Sequence, residues 1–178
     1  MKKVLCVAFA AIMMASVATA AQGPETSPYG IGYQGQYAGE FLSHASLRMR
    51  PMPIGGQLML GHWSGDFSDV NIGEGDLYSI TGKILYSLVE NNYSDFYVGA
   101  ELGYWDLDAE QGGNDLDADD WLYGPLMGAE WFFSENSQVG FNFEVAYMFN
   151  DIEVDTPGGS ADVDLDGVNV TMGIHYYF

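Results

Sequence analysis

Apolar residues occupy every second position in the last strand-like segment of the chain. They are Val168, Val170, Met172, Ile174, Tyr176 and Phe178, and they alternate with Gly167, Asn169, Thr171, Gly173, His175 and Tyr177. The preceding segment repeats the alternation, with apolar residues at every second position from Val139 to Phe149. Because successive side chains of a β-strand point to opposite faces, this period of two predicts strands with one apolar face and one small or polar face.

The same period recurs along the chain and predicts eight strands. Their ranges are 29–37, 40–50, 54–64, 76–89, 96–107, 120–133, 138–150 and 166–178. Short turns at 51–53, 91–95 and 134–137 alternate with long, acidic, glycine-rich connections at 64–76, 106–120 and 150–166. Short connections at one end and long ones at the other are typical of outer-membrane barrels. The pattern therefore predicts an all-β fold, an eight-stranded antiparallel up-and-down transmembrane β-barrel over 29–178.

The first twenty residues have the features of a secretory signal peptide. Lys2 and Lys3 precede a short apolar run, and Ala18-Thr19-Ala20 forms a small-x-small cleavage site. We therefore predict a signal peptide over 1–20 and an N-terminal periplasmic stub over 21–28. A first transmembrane helix is the alternative, but the run is short for a membrane span.

Charge and cysteine content narrow the functional classes. After the signal peptide the chain has three basic and 25 acidic residues, which gives a formal charge of −22. Such a chain would repel nucleic acid phosphates, so we expect no nucleic acid partner. The one cysteine, Cys6, lies in the signal peptide, so the mature chain is expected to have no disulfide and no thiol chemistry.

The apolar faces of the predicted strands are free of Asp, Glu, Lys and Arg, and Ser43 and His62 are their clearly polar members. A Lys or Arg on a lipid-exposed face costs about 2–4 kcal/mol near the bilayer midplane, so their exclusion favours contact with lipid. A soluble, lipocalin-like barrel is the alternative. Its outer face would then be the glycine-rich set, which carries few charges, and its narrow interior would have to hold many bulky aromatic side chains.

Aromatic residues near the strand ends predict two girdles at the membrane interfaces. At the short-turn end they are Tyr93, Phe96, Phe133, Tyr176 and Phe178, and at the long-loop end they are Trp63, Tyr78, Tyr104, Trp105, Trp121 and Phe149. Pro125 lies inside the sixth predicted strand and cannot donate a ladder hydrogen bond, so we expect a bulge or bend there.

Six charged residues share the opposite, inward face. They are Arg48, Arg50, Lys83, Glu101, Glu130 and Glu144. Three positive and three negative groups in a narrow interior predict a paired network that plugs the lumen, because a buried charge without a partner is costly. A narrow ion-conducting channel, opened by rearrangement of these pairs, is the alternative.

The acidic connections are the second candidate for function, since they hold seventeen of the 25 acidic residues. Asp106, Asp108 and Glu110 alternate as in a calcium-binding loop, but Gln111 replaces the glycine of the sharp turn and no glutamate closes the twelfth position. Solvated loops are one interpretation, and weak binding of divalent cations, bridging anionic lipopolysaccharide, is the other.

An acyl hydrolase acting on lipid A is the third hypothesis. His44 and Ser46 share one strand face, with Glu40 and Leu42 nearby by parity, and Ser, His and an orienting acid are the groups that acyl transfer requires. That face points to the lumen rather than to lipid, and His175 is interpreted as a lumen-filling residue. We therefore predict no catalytic, cofactor-binding or metal site, and no cofactor.

The final "GIHYYF" and the "YVGAELGYWD" stretch at 97–106 resemble small eight-stranded outer-membrane β-barrels of Gram-negative bacteria, the OmpX and OmpA-transmembrane-domain type. The resemblance implies that Val170, Met172, Ile174, Tyr176 and Phe178 form a C-terminal insertion signal read by the barrel-assembly machinery. It also implies a monomer in outer-membrane lipid and lipopolysaccharide. We expect a structural or surface-interaction role through the acidic connections rather than an enzyme.

Overall fold

Nine β-strands make up the regular structure of this computed structural model, which describes residues 28–37, 41–66, 74–91, 93–111, 114–134, 137–156, 159–164 and 166–178. The strands are β1 (Tyr29–Tyr37), β2 (Phe41–Met49), β3 (Ile54–Asp66), β4 (Glu74–Asn91), β5 (Ser94–Gln111), β6 (Asn114–Phe132), β7 (Val139–Thr156), β8 (Gly159–Asp164) and β9 (Gly167–Tyr177). The predicted signal peptide and the stub up to residue 27 lie outside the described residues. The described part of the chain has no helix long and apolar enough to cross a membrane.

Eight of the strands close into one antiparallel barrel. Each of β1 to β7 pairs with the next strand along the chain, and β9 pairs with both β7 and β1, which closes the sheet. β8 pairs with the outer part of β7, from Asp151 to Thr156, and forms a hairpin beyond the barrel. The predicted fold, an eight-stranded antiparallel β-barrel, is confirmed.

The long connections are shorter than predicted because strands continue into them. β5 and β6 stay paired as far as Gln111 and Asn114, and β7 and β8 pair from Asp151 to Asp164. The prediction of long loops at 106–120 and 150–166 was therefore wrong. Acidic residues have a low intrinsic preference for strands, but pairing with a neighbouring strand overrides this preference.

The outward face of the barrel carries its large apolar side chains. Ile31, Leu47, Leu60, Ile84 and Met172 are all exposed, and Ile84 is 69% exposed. Ser43 and His62, the two polar residues predicted for this face, both have polar partners. The Tyr33 hydroxyl donates to Ser43 Oγ, and His62 Nε2 lies 3.2 Å from Asp76 Oδ1. The residues that alternate with the outward ones along each strand face inward, and in the strand middles most of these are buried.

The bulge lies in β4 rather than at Pro125. The β5–β6 register runs without a shift from Ser94↔Trp131 to Gln111↔Asn114, and Pro125 sits on the outward face opposite Ala100. On the other side of β6, pairing with β7 is interrupted at Gly124 and Pro125 and resumes in the same register. The bulge expected at Pro125 was therefore wrong, whereas the strand pairing is interrupted there, as the missing N–H donor of proline predicts. The register shift is instead between Ser87 and Val89 in β4.

Two tryptophans of the predicted outer girdle were assigned to the wrong face. Trp63 follows the exposed His62, and Trp105 is paired with Ser79, so alternation places both on the inward side, where they are half-buried. Tyr78, Tyr104 and Trp121 do lie on the outward face, and the Tyr104 and Trp121 rings are 5.2 Å apart.

Acidic residues follow these aromatic rings on the outward face. Asp76, Asp106 and Asp119 each lie two residues beyond Tyr78, Tyr104 and Trp121 on the same strand face. The prediction that this face holds no acidic residue is therefore wrong at its outer edge, where the strands extend beyond the apolar band. The apolar band and the acidic edge are separated by the aromatic side chains.

Close strand contacts depend on glycine at two inward positions. A Cβ on Gly124 would lie 1.9 Å from the Tyr147 carbonyl oxygen, and one on Gly32 would lie 2.1 Å from the Ile174 carbonyl oxygen.

Since backbone atoms cannot yield as a flexible side chain does, Gly124→Ala is expected to lower the free energy of unfolding by about 1–3 kcal/mol. Urea titration of the refolded barrel measures this. Gly167→Ala, where an added Cβ meets nothing within 4 Å, is the matched control, and equal effects would contradict the steric explanation.

Candidate functional site

The charged side chains of the lumen come from a row of paired strand positions. Arg48 on β2 is paired with Gln57 on β3, Gln57 with Lys83 on β4, and Lys83 with Glu101 on β5. All four face inward and are buried. Alternation along each strand fixes the face, and the register between strands brings the four side chains together.

Glu144 of β7 reaches this row from the opposite wall. Its Oε1 lies 2.9 Å from Arg48 Nη1, and its Oε2 lies 2.6 Å from Lys83 Nζ. The Tyr97 hydroxyl donates to Oε1 at 2.7 Å, and Gln34 and Asn142 amides donate at 3.3 Å. A carboxylate that accepts this many hydrogen bonds, two of them from cations, is the centre of the network.

Each cation of the network also contacts a second acid. Lys83 Nζ lies 3.1 Å from Glu101 Oε2, and Arg48 Nε lies 3.4 Å from Glu130 Oε2. The Tyr177 hydroxyl donates to Glu130 Oε1 at 2.6 Å. Five of the six predicted lumen residues are therefore brought together in one network of ion pairs.

Arg50, the sixth predicted residue, is not in that network. It is buried on the inward face, but it makes no ion pair within 4.0 Å with a described acid, and its guanidinium lies 4.7 Å above the Phe132 ring. A cation over an aromatic face is stabilised by the ring quadrupole, so Arg50 has an aromatic partner instead of a carboxylate.

Several members of the lumen were not predicted from the sequence. Asp95, Tyr97 and Tyr177 are buried and face inward, and so are Gln34 and Gln57. Asp95 and Tyr97 share the parity of Glu101, which is a signal that could have found them, but residues 91–95 were predicted to be a turn. Ser94 and Asp95 belong to β5, because they pair with Asn91 and Glu90 of β4.

The proposed His44–Ser46 pair does not form. His44 Nε2 lies 3.0 Å from Ser79 Oγ, whereas Ser46 Oγ lies 2.9 Å from His175 Nε2 and accepts from Gln57 Nε2 at 2.7 Å. Both Ser46 and His175 are buried, and His175 Nδ1 has no hydrogen-bond partner in the described structure. The Ser46–His175 contact thus lacks an orienting acid, which the general arrangement for acyl transfer requires.

The acidic residues at the outer edge of the barrel, such as Asp76, Asp106 and Asp119, do not form a metal site. Within the described ranges no three His, Cys, Asp or Glu side chains are close enough to hold an ion. Asp108 is exposed, and Asp106 is half-buried. The Glu110 side chain of the predicted calcium motif lies outside the described residues. A site built from Asp106, Asp108 and Glu110 remains a hypothesis.

The five residues of the predicted insertion signal all lie on the outward side of β9 and its end. Met172, Ile174, Tyr176 and Phe178 are exposed, and Val170 is half-buried. The Tyr176 hydroxyl donates to Gln138 Oε1 at 2.9 Å, and the Phe178 backbone N–H donates to the Tyr29 carbonyl at 3.2 Å. The strand that carries the predicted signal is therefore also the strand that closes the barrel.

Comparison with solved structures identifies the class of fold. Neisserial surface protein A is similar over 84% of this chain and 94% of its own, with a TM-score of 0.54 and 15% identity. The N-terminal β-barrel domain of Pseudomonas aeruginosa OprF is similar over 84% and 96%, with a TM-score of 0.51 and 14% identity. A major outer membrane protein from Thermus thermophilus is similar over 86% and 100%, with a TM-score of 0.51 and 12% identity.

These likenesses are in fold. A scan of protein-family models gives no match, and a search of curated proteins gives none either. The chain is an eight-stranded antiparallel β-barrel with an ionic interior. Its fold is that of the small outer-membrane barrels, so the predicted resemblance is confirmed at the level of fold.

Proposed function

We propose that this chain is an integral outer-membrane protein whose apolar outward face contacts lipid. The observation that carries the proposal is the height of that face. Ten residue steps from Val168 to Phe178, at about 3.4 Å each on a strand tilted by about 40°, rise about 26 Å, which matches the apolar band of about 25 Å in outer-membrane barrels. Val168, Met172, Ile174, Tyr176 and Phe178 along this span are all exposed large apolar residues.

The inverted distribution of charge supports the same proposal. All three Arg and Lys residues beyond the predicted signal peptide are buried inside the barrel. A water-soluble barrel would carry its charges outside and its apolar residues inside. A protein with an exposed apolar surface of this extent would aggregate in water, whereas contact with lipid acyl chains removes that surface from water.

In this proposal the lumen is closed and the protein has a structural or surface-interaction role. The ion pairs of Arg48 and Lys83 with three glutamates support closure, since an eight-stranded barrel has an interior just wide enough for side chains to fill. The acidic outer edge is the surface we assign to interaction, with lipopolysaccharide bridged by divalent cations as its partner. The outward residues of β9 are assigned to recognition by the barrel-assembly machinery, and the protein is assigned as a monomer.

Single-channel recording on the refolded protein tests closure of the lumen. The closed form is expected to give no discrete conductance steps in a planar bilayer. Regular steps that disappear in a variant with altered lumen charges would support the narrow channel instead.

Unchanged lipid A acylation in cells that produce Ser46→Ala is expected as well, and a change in acylation would support the acyl hydrolase.

Lipid contact is tested by cysteine labelling, since Cys6 lies in the predicted signal peptide and the rest of the chain has no cysteine. In the refolded barrel a polarity-sensitive fluorophore on Ile84→Cys is expected to report an apolar environment, because Ile84 lies near the middle of the outward face of β4. The same fluorophore on Asp108→Cys, on the acidic edge of the outward face, is expected to report water. Aqueous emission from both positions would overturn the membrane proposal.

A further inference from the structure

The buried charges of the lumen do not balance. Three cations and four carboxylates are buried among the described residues: Arg48, Arg50, Lys83, Asp95, Glu101, Glu130 and Glu144. The only other Lys or Arg residues in the chain are Lys2 and Lys3, in the predicted signal peptide. If every group were ionised, the interior would hold one uncompensated negative charge, which is costly in a medium of low dielectric constant.

The two buried histidines do not supply the missing positive charge. A protonated imidazole has two N–H donors, and each needs an acceptor when it is buried. The Nδ1 atoms of His44 and His175 have no hydrogen-bond partner in the described structure. Their Nε2 atoms contact the Ser79 and Ser46 hydroxyls, an arrangement that a neutral ring satisfies.

The excess charge is located at Asp95. Glu144 contacts two cations, and Glu101 and Glu130 contact one each, but no cation of the described residues lies within 4.0 Å of the Asp95 carboxyl. Asp95 is 0% exposed. The Ser87 hydroxyl donates to its Oδ1, and its Oδ2 has no hydrogen-bond partner within the ranges that the structure describes.

Both strands that flank Asp95 place an acid beside it. Glu90 on β4 and Glu130 on β6 are its cross-strand partners, and like charges directly opposite each other destabilise a sheet. Arg50, directly after β2, is the cation at this end of the lumen, and its guanidinium lies over the Phe132 ring of β6. Tyr177 of β9 donates to Glu130. Glu90, Asp95 and Glu130 are therefore three acids in a row across the sheet. Arg50, the nearby cation, forms no ion pair with any of them, and this favours a neutral form for the buried Asp95.

We propose that Asp95 is a buried proton-binding site, with its carboxyl held neutral in the closed lumen and its proton on Oδ2, facing the Glu130 carboxylate across the strand pair. Side chains of paired residues on one face start about 4.5–5.5 Å apart, so the two carboxyls are within reach of each other. The proton comes from solvent as the barrel folds. A metal cation is a poorer occupant, since it needs several oxygen ligands, and no group of three potential ligands is present in the described structure.

The site couples the ion-pair network to pH. An aspartate in the unfolded chain is ionised above about pH 4, so folding in weakly acidic solution takes up one proton at Asp95. Loss of that proton would add a fourth carboxylate beside Glu130, whose one cation partner among the described residues is Arg48. A rise in pH that removes this proton therefore weakens the barrel at its short-turn end. The proton site requires burial of Asp95 and does not depend on the medium that surrounds the barrel.

Infrared difference spectroscopy of the full mature barrel, refolded in detergent at about pH 5.5, tests the proposal directly. Exposed carboxyls are ionised at this pH, so a carbonyl stretch of a protonated carboxylic acid reports a buried neutral acid. We expect one such band in the unsubstituted protein, loss of the band in Asp95→Asn, and an unchanged band in Asp108→Asn, which removes an exposed acid at the other end of β5. Absence of the band, or its loss in Glu130→Gln with retention in Asp95→Asn, overturns the assignment.

A second measurement stays informative if a variant refolds poorly. Above about pH 4, where an unfolded aspartate is already ionised, the unfolding equilibrium constant of the unsubstituted protein is expected to rise more steeply with pH than that of Asp95→Asn, by about tenfold more per pH unit for as long as Asp95 stays protonated in the folded barrel, because one proton is released on unfolding. Equal slopes for the two proteins overturn the proposal. Stability that rises when choline is replaced by sodium or potassium at constant pH would identify a metal cation, and also overturns it.

Discussion

Replacement of Glu144 by glutamine is expected to lower the free energy of unfolding by about 3–5 kcal/mol, the usual cost of removing one partner from a buried ion pair. Glutamine has nearly the same shape, so the loss is one of charge. Arg48 Nη1 and Lys83 Nζ, at 2.9 and 2.6 Å from the carboxylate, would lose their shared counter-ion. Chemical denaturation of the refolded barrel, followed by the gel mobility of unboiled samples, measures the change.

The control for Glu144→Gln is Glu90→Gln, which removes an exposed acid and is expected to have little effect. Glu101→Gln should have a smaller effect than Glu144→Gln, because Glu101 contacts Lys83 alone and Lys83 keeps Glu144. If Glu144→Gln is as stable as Glu90→Gln, the interior charges are hydrated and the closed, paired lumen is wrong.

Substitution of Ile84 by arginine is expected to cost about 2–4 kcal/mol in a lipid bilayer, since the side chain lies near the middle of the proposed apolar band. Ile84 is 69% exposed and has Gly56 and Ala100 as its cross-strand partners, so no steric clash accompanies the change. The cost is that of placing a charge against acyl chains. Urea titration of the folded barrel in lipid vesicles measures it.

Asp108→Arg is the matched control for Ile84→Arg. It places the same side chain on the outward face beyond the aromatic rings, where the environment is expected to be aqueous and the cost close to zero. A soluble barrel predicts the opposite for Ile84→Arg, namely a neutral change with improved solubility in the absence of detergent. The two variants together separate the membrane proposal from its alternative.

The charged residues of the lumen were predictable as a set, but their pairing was not. Arg48, Lys83, Glu101, Glu130 and Glu144 share inward parity, which the sequence shows directly. Arg48 and Glu144 are 96 residues apart and contact each other only because β2 and β7 face each other across the lumen. The parity of a residue is local, whereas the height at which it meets its partner depends on the register of every strand between them.

Residues at the strand ends show where local pattern fails. Asp95 belongs to a stretch that has the composition of a turn. Pairing of Asn91 with Ser94 nevertheless places Asp95 inside β5, where it is buried in the lumen. Trp63 and Trp105 have the composition of a membrane girdle, but each is adjacent to an outward residue and so faces inward. The acidic connections at 106–120 and 150–166 have the composition of loops, but strand pairing continues into their described residues.

Alternation of apolar and polar residues was enough to define the fold class, the eight barrel strands and the face that each residue of a strand middle presents, because it has the period of the strand. Three features came only with the folded barrel: which charges meet, which buried carboxylate has no cation, and how far the strands extend beyond the apolar band. They depend on closure of the sheet, where β9 joins β1 and sets the height of every strand relative to its neighbours.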